Sequence, residues 1–166
     1  MSMHILLVED NATLAHLFKV QLSRLGHDLT ITGTKAQAMT AFKAKIFDLV
    51  FIDIGLEGKQ DRGMEILAEM KALVPEQRIG IISSNDVKDM IRRAQEGGAE
   101  FYMVKPFTLT GLSIALGGNR EAIHNYQPDI GEGRIIPLYP FIGANHRYSV
   151  PTSRGSEASR PEITSS

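Results

Sequence analysis

Two periods of apolar and polar residues alternate along most of the chain. His4 to Val8 is a short, nearly continuous apolar run, as expected of a strand buried on both faces. Asn11 can cap the next segment, where Leu14, Leu17, Phe18, Leu22 and Leu25 recur at helical spacing until Gly26. Asp28 to Thr32 is a more polar strand that suits a sheet edge, and Thr34-Lys35-Ala36-Gln37 is a capping-box pattern opening a helix to Ala44. Leu49-Val50-Phe51-Ile52 is the strongest buried-strand signal, and it runs straight into Asp53. A polar loop follows, then a helix with Met64, Leu67, Met70, Lys71 and Leu73 along one face. Ile79 to Ile82 predicts a fourth strand ending on Ser83-Ser84. Val87, Met90, Ile91 and Ala94 mark a fourth helix that Gly97-Gly98 can end. Phe101 to Val104 is a fifth strand before Lys105-Pro106, and a last helix from Leu109 is interrupted at Gly117-Gly118.

Five strands, each followed by a helix, predict an α/β fold: a doubly wound, five-stranded parallel sheet with right-handed crossovers and helices on both faces. Past residue 126 the composition shifts. Five of the seven prolines lie between Gln127 and Ser166, so residues 1–126 are expected to form one domain and 127–166 a mostly disordered tail. The exception is Ile135 to Ile142, apolar enough to dock, although its prolines argue against a central strand.

The bulk numbers narrow the chemistry. A net charge of −1 gives no electrostatic case for DNA or an anionic membrane, and 43% hydrophobic residues can build a real core. The absence of cysteine excludes disulfides and thiolate metal sites. No signal peptide and no run near the ~20 apolar residues of a bilayer span is present, so a cytoplasmic location is expected. The five histidines show no ligand spacing.

Ligands of doubly wound sheets bind beyond the carboxyl ends of the strands, where the strand order reverses. Strand one ends on Glu9-Asp10, strand three on Asp53, strand four on Ser83 and strand five on Lys105, whereas strand two ends on Thr32-Gly33. In the order 2-1-3-4-5, common to such sheets, the reversal lies between the two strands that deliver acids. Taken singly, Asp10 is a helix cap, Glu9 a loop acid, Ser83 an ordinary strand end and Lys105 a solubilising cation. Together they are a set suited to Mg²⁺, which needs few protein carboxylates, and to a carboxylate nucleophile acting on phosphorus.

These residues carry a resemblance. Glu9-Asp10-Asn11 after the first strand, Leu49 to Asp53, Ile81-Ile82-Ser83 and Phe101 to Phe107 with its Lys105-Pro106 resemble, in order and spacing, the response-regulator receiver family over roughly residues 3 to 116. The resemblance implies the flavodoxin-like receiver fold and a phosphoacceptor role for Asp53. It implies Glu9, Asp10, Asp53 and the Gly55 carbonyl as Mg²⁺ ligands, Lys105 as the phosphate-contacting lysine, and Ser83 and Tyr102 as switch residues. It implies a cis Lys105-Pro106 bond, where the general preference of X-Pro bonds is trans. A sensor histidine kinase or phosphotransfer protein is then the donor and an effector protein the recipient, with no independent enzymatic turnover. The loop after Asp53 departs from the family pattern: it lacks the usual Met-Pro and is longer before Gly63.

Three other functions fit parts of the same pattern. A haloacid-dehalogenase-type phosphatase needs a second Asp two positions after the first, and that position is Gly55. A flavodoxin-like nucleotide binder needs a Gly/Ser/Thr-rich loop where Glu9-Asp10-Asn11 stands. The principal alternative is a phosphorylation-independent interaction module on the same fold. A DNA-binding output is not expected, because Gln127 to Ser166 has no basic cluster for a recognition surface.

Overall fold

The computed structural model describes residues 2–59 and 61–138. Its elements are β1 (His4–Val8), α1 (Ala12–Arg24), β2 (Asp28–Thr32), α2 (Lys35–Ala44), β3 (Leu49–Asp53), a 3₁₀ turn (Leu56–Gly58), α3 (Arg62–Leu73), β4 (Ile79–Ser83), α4 (Lys88–Glu96), β5 (Phe101–Val104), α5 (Leu109–Gly117), α6 (Arg120–Asn125) and β6 (Ile135–Pro137). The first five strands are parallel and follow the expected order. Among the described residues the sheet nevertheless has six strands, β2-β1-β3-β4-β5-β6, because β6 adds antiparallel to β5.

Strand alternation sorts the apolar side chains into two cores. Leu6, Val8, Val50, Ile52, Ile79, Ile81 and Tyr102 pack on one side against α2, α3 and α4. Ile5, Leu7, Leu49, Phe51, Phe101 and Met103 pack on the other against α1, α5 and α6. There the Phe18 ring packs tilted at 5.2 Å from Phe51 and 4.7 Å from Phe107, and Phe51 meets Phe101 edge-on at 5.8 Å. The expected caps form: Asn11 Oδ1 accepts from Leu14 N–H and Thr34 Oγ1 from Gln37 N–H. The Gln37 side chain closes its box on Gly33 N–H, one residue before the cap. Helix α1 differs from its pattern at Leu17, which is 43% exposed; Ala15, Phe18 and Leu22 make the buried stripe.

The break at Gly117-Gly118 is real. Gly118 caps α5 at φ +66°, and α6 restarts after Asn119. Strand β6 lies past residue 126, where the composition places the end of the domain. It is an edge strand, consistent with the proline at its end. Val104 N–H donates to Arg134 O and Gly133 N–H to Pro106 O, while Ile135 and Leu138 are buried. Position 133 admits only glycine, since a Cβ there would overlap the Val104 carbonyl. Residues 139–166, which hold the rest of the Ile135–Ile142 stretch and of the tail, lie outside the described residues.

At the amino ends of the central strands, a buried ion pair joins sheet to helix. Arg78 Nε and Nη2 donate to the two Glu100 carboxylate oxygens at 2.8 and 3.0 Å. The same guanidinium donates to the Leu116 and Ala115 carbonyls at the end of α5.

Candidate functional site

Register builds the site. Val8 pairs with Ile52, Asp53 with Ile82, and Ser83 with Val104, so Glu9, Asp53, Ser83 and Lys105 emerge side by side at the carboxyl edge. The ladder continues past the strands: Lys105 N–H donates to Ser83 O and Ile54 N–H to Ile82 O. Gly63 lets the start of α3 approach the end of β3, because a Cβ there would lie 2.6 Å from the Asp53 carbonyl. The Lys105-Pro106 bond is cis, as the resemblance implied.

Glu9, Asp10 and Asp53 each present a carboxylate oxygen, and the three oxygens lie within 4.8 Å of one another. Glu9 and Asp53 are buried and Asp10 is exposed. The Lys105 ammonium stands 3.2 Å from Glu9 Oε1 and 3.6 Å from Asp53 Oδ1. Asn11 N–H donates to Glu9 Oε2, Gly55 N–H approaches Asp53 Oδ1 at 3.4 Å, and Glu57 N–H donates to Asp10 Oδ2. Burial pushes the Glu9 carboxyl above its ordinary range and the nearby Asp53 charge adds to this, while Asn11 N–H and Lys105 pull the other way.

Ser83 and Tyr102 flank this cluster without joining it. Ser83 Oγ accepts from Asn85 N–H at 3.1 Å, and the Tyr102 hydroxyl donates to Asn85 O at 2.7 Å. Both side chains thus hold the β4–α4 loop, and burial pushes the Tyr102 phenol up. The residues that sequence reasoning passed over are Asn85 and Glu57. Asn85 carries no signal beyond its place after Ser83. Glu57 sits at φ +58°, a conformation nothing about glutamate announces.

The raised Glu9 carboxyl has a consequence for stability. Its folded pKa lies above its unfolded one, so between the two the native state holds more protons and stability falls as pH rises. In chelator-treated protein, the melting temperature of wild type should drop across that window more steeply than that of Glu9→Gln. Parallel curves would show that the buried carboxyl carries no such cost.

The fold and the cluster define a doubly wound α/β domain with acids at the reversal of strand order and a lysine facing them. The chain belongs to the response regulator receiver domain family, whose model matches residues 5–116. It is 32% identical over 111 residues to the alginate biosynthesis transcriptional regulatory protein AlgB of Pseudomonas syringae pv. tomato, covering 67% of this chain and 24% of that protein. It is similar to the crystal structure of NtrX from Brucella abortus, at 29% identity and a TM-score of 0.66, over 70% of this chain and 26% of that one. A CheY-like receiver domain protein from Methanospirillum hungatei shares the fold at a TM-score of 0.66 and 21% identity, over 70% of this chain and 92% of that one. The chain thus spans about a quarter of the length of the AlgB relative it matches. Receiver domains are phosphoacceptors of two-component systems and generally bind Mg²⁺ at an acidic pocket, and Glu9, Asp10 and Asp53 form an acidic cluster in this chain. Among the described residues no helix is long and apolar enough to cross a membrane.

Proposed function

We propose that this chain accepts a phosphoryl group on Asp53 and signals through a partner protein. The observation that carries the reading is the meeting of Glu9, Asp10 and Asp53 around one point with Lys105 beside them. The donor set fits Mg²⁺: hard oxygen ligands, few in number, with an exposed side left to water. Glu9, Asp10, Asp53 and the Gly55 carbonyl would hold the cation, which supplies charge neutralisation for the phosphoryl oxygens.

Asp53 acts as the nucleophile. A carboxylate oxygen attacks phosphorus, the P–N bond of a donor phosphohistidine breaks, and an acyl phosphate forms. The donor imidazole leaves with the bonding pair and takes up a proton. Lys105, now shared between Glu9 and Asp53, turns to the phosphoryl oxygens. Ser83 exchanges its bond from Asn85 N–H for donation to the phosphoryl group, which releases the β4–α4 loop to rearrange and frees the Tyr102 hydroxyl from Asn85 O. A histidine kinase or phosphotransfer protein is the donor, and the surface around that loop is what an effector protein reads. The domain runs on through β6, the molecule has no turnover of its own, and it acts in the cytoplasm without contacting DNA.

The test uses a small phosphodonor. With Mg²⁺, wild type should gain one hydroxylamine-labile phosphoryl group, and with chelator it should gain none. Mg²⁺ alone should stabilise the fold by about 2.7 kcal/mol at a hundredfold excess over Kd, read as a higher melting temperature, and much less in Asp10→Ala. Equal responses in the two proteins would remove Asp10 from the ligand set.

A further inference from the structure

The loop between β3 and α3 departs from the family pattern, and Glu57 lies at its centre. Its backbone has φ +58°, a left-handed conformation that side chains with a Cβ adopt at a cost. Two contacts at opposite ends of the residue hold it there. Its N–H donates to Asp10 Oδ2 at 3.0 Å. Its carboxylate Oε2 accepts from Lys35 N–H at 2.7 Å, at the first turn of α2, and lies 4.0 Å from Arg62 Nε at the start of α3. The Lys35 side chain is turned away to Glu65 and Glu69, so its backbone N–H is what meets Glu57. One residue therefore ties the loop bearing Asp10 to α2 and α3, with its carboxylate at the positive end of a helix.

We propose that Glu57 is a positioning residue for the cation site. Anchored on α2, it presents its N–H to one oxygen of Asp10 and so aims the exposed carboxylate at Glu9 and Asp53. A carboxylate has two oxygens, so one can be held while the other meets a cation. Asp10 has the most to gain from such a hold, because unlike its two neighbours it is not confined by burial. The left-handed turn is the means: it points the N–H and the side chain of one residue at two different elements. The inference rests on the reading of Glu9, Asp10 and Asp53 as a Mg²⁺ site.

Calorimetric titration of Mg²⁺ into the chelator-treated full chain tests it, in wild type, Glu57→Gln, Glu57→Ala and Glu57→Gly. Loss of a group that orients a metal ligand typically weakens affinity by about tenfold or more, and Ala and Gly should both show this. Gly accommodates the positive φ, so weakening there reports the lost anchor rather than strain. Gln should bind as wild type, because its amide oxygen still accepts from Lys35 N–H. Wild-type affinity in both Ala and Gly overturns the inference, as does a Gln variant as weak as Ala. If wild type itself binds no Mg²⁺, the cation-site reading fails first and the inference falls with it.

Discussion

Replacing Glu100 by alanine is expected to destabilise the domain by about 3–5 kcal/mol, the usual consequence of stranding one charge of a buried pair. The Glu100 side chain is 3% exposed and that of Arg78 10%, and the two are joined by two hydrogen bonds 22 residues apart in sequence. A loss of that size is a large part of the ~5–15 kcal/mol that holds a typical domain together. The cause is the solvation that Arg78 gave up on folding, which the two neutral carbonyls left to it cannot match once the Glu100 charge is gone. The damage should reach α5, because the same guanidinium caps the Ala115 and Leu116 carbonyls. For that reason an apolar pair such as Arg78→Met with Glu100→Leu should not fully restore stability, although many buried pairs tolerate such replacement. The exposed pairs of Arg92 with Asp89 and Glu96 offer the contrast: removing either acid should leave the unfolding midpoint close to that of wild type, because solvent screens such pairs. Urea denaturation measures both. A Glu100→Ala midpoint close to wild type would show that the ion pair contributes little and that α5 is held by its apolar contacts alone.

The sequence made the site legible through its strands. Each strand of a doubly wound sheet is a short apolar run, and the first polar residue after it marks the carboxyl edge. Glu9, Asp53, Ser83 and Lys105 could therefore be placed before any geometry was known, and register then put them side by side. Local signals also located the caps Asn11 and Thr34 and the break at Gly118. Contacts whose two halves look ordinary were not legible. Arg78 and Glu100 each read as a charge bordering a strand, and only the tertiary fold brings them together. Leu17 fits helical spacing yet faces out, because the buried stripe of α1 is narrow and Ala15 supplies what Leu17 was expected to. Ile135 was recognisable as apolar, but its pairing with Met103 across a turn-rich connection is a long-range choice that no local pattern encodes. Glu57 is the clearest case, since its role comes from a backbone conformation that its side chain disfavours.

Asp53→Asn should abolish phosphorylation while leaving the fold intact. The substitution keeps the shape of the side chain and removes the anionic oxygen that attacks phosphorus. The fully buried strand β3 that delivers it, and the packing of Phe51 and Ile52 behind it, remain unchanged. Glu9 and Asp10 remain as acids, so the variant also asks whether either can substitute. Glu9 is held by Asn11 N–H and Lys105 and Asp10 by Glu57 N–H, which leaves both oriented as ligands rather than as free nucleophiles. The decisive measurement is peptide mapping of wild type and Asp53→Asn after reaction with a small phosphodonor and Mg²⁺. The site described here predicts a hydroxylamine-labile phosphoryl group on the peptide containing Asp53 in wild type, and no incorporation in a variant that still melts cooperatively. Incorporation into Asp53→Asn at the wild-type level, or a label on any other peptide of wild type, would contradict it.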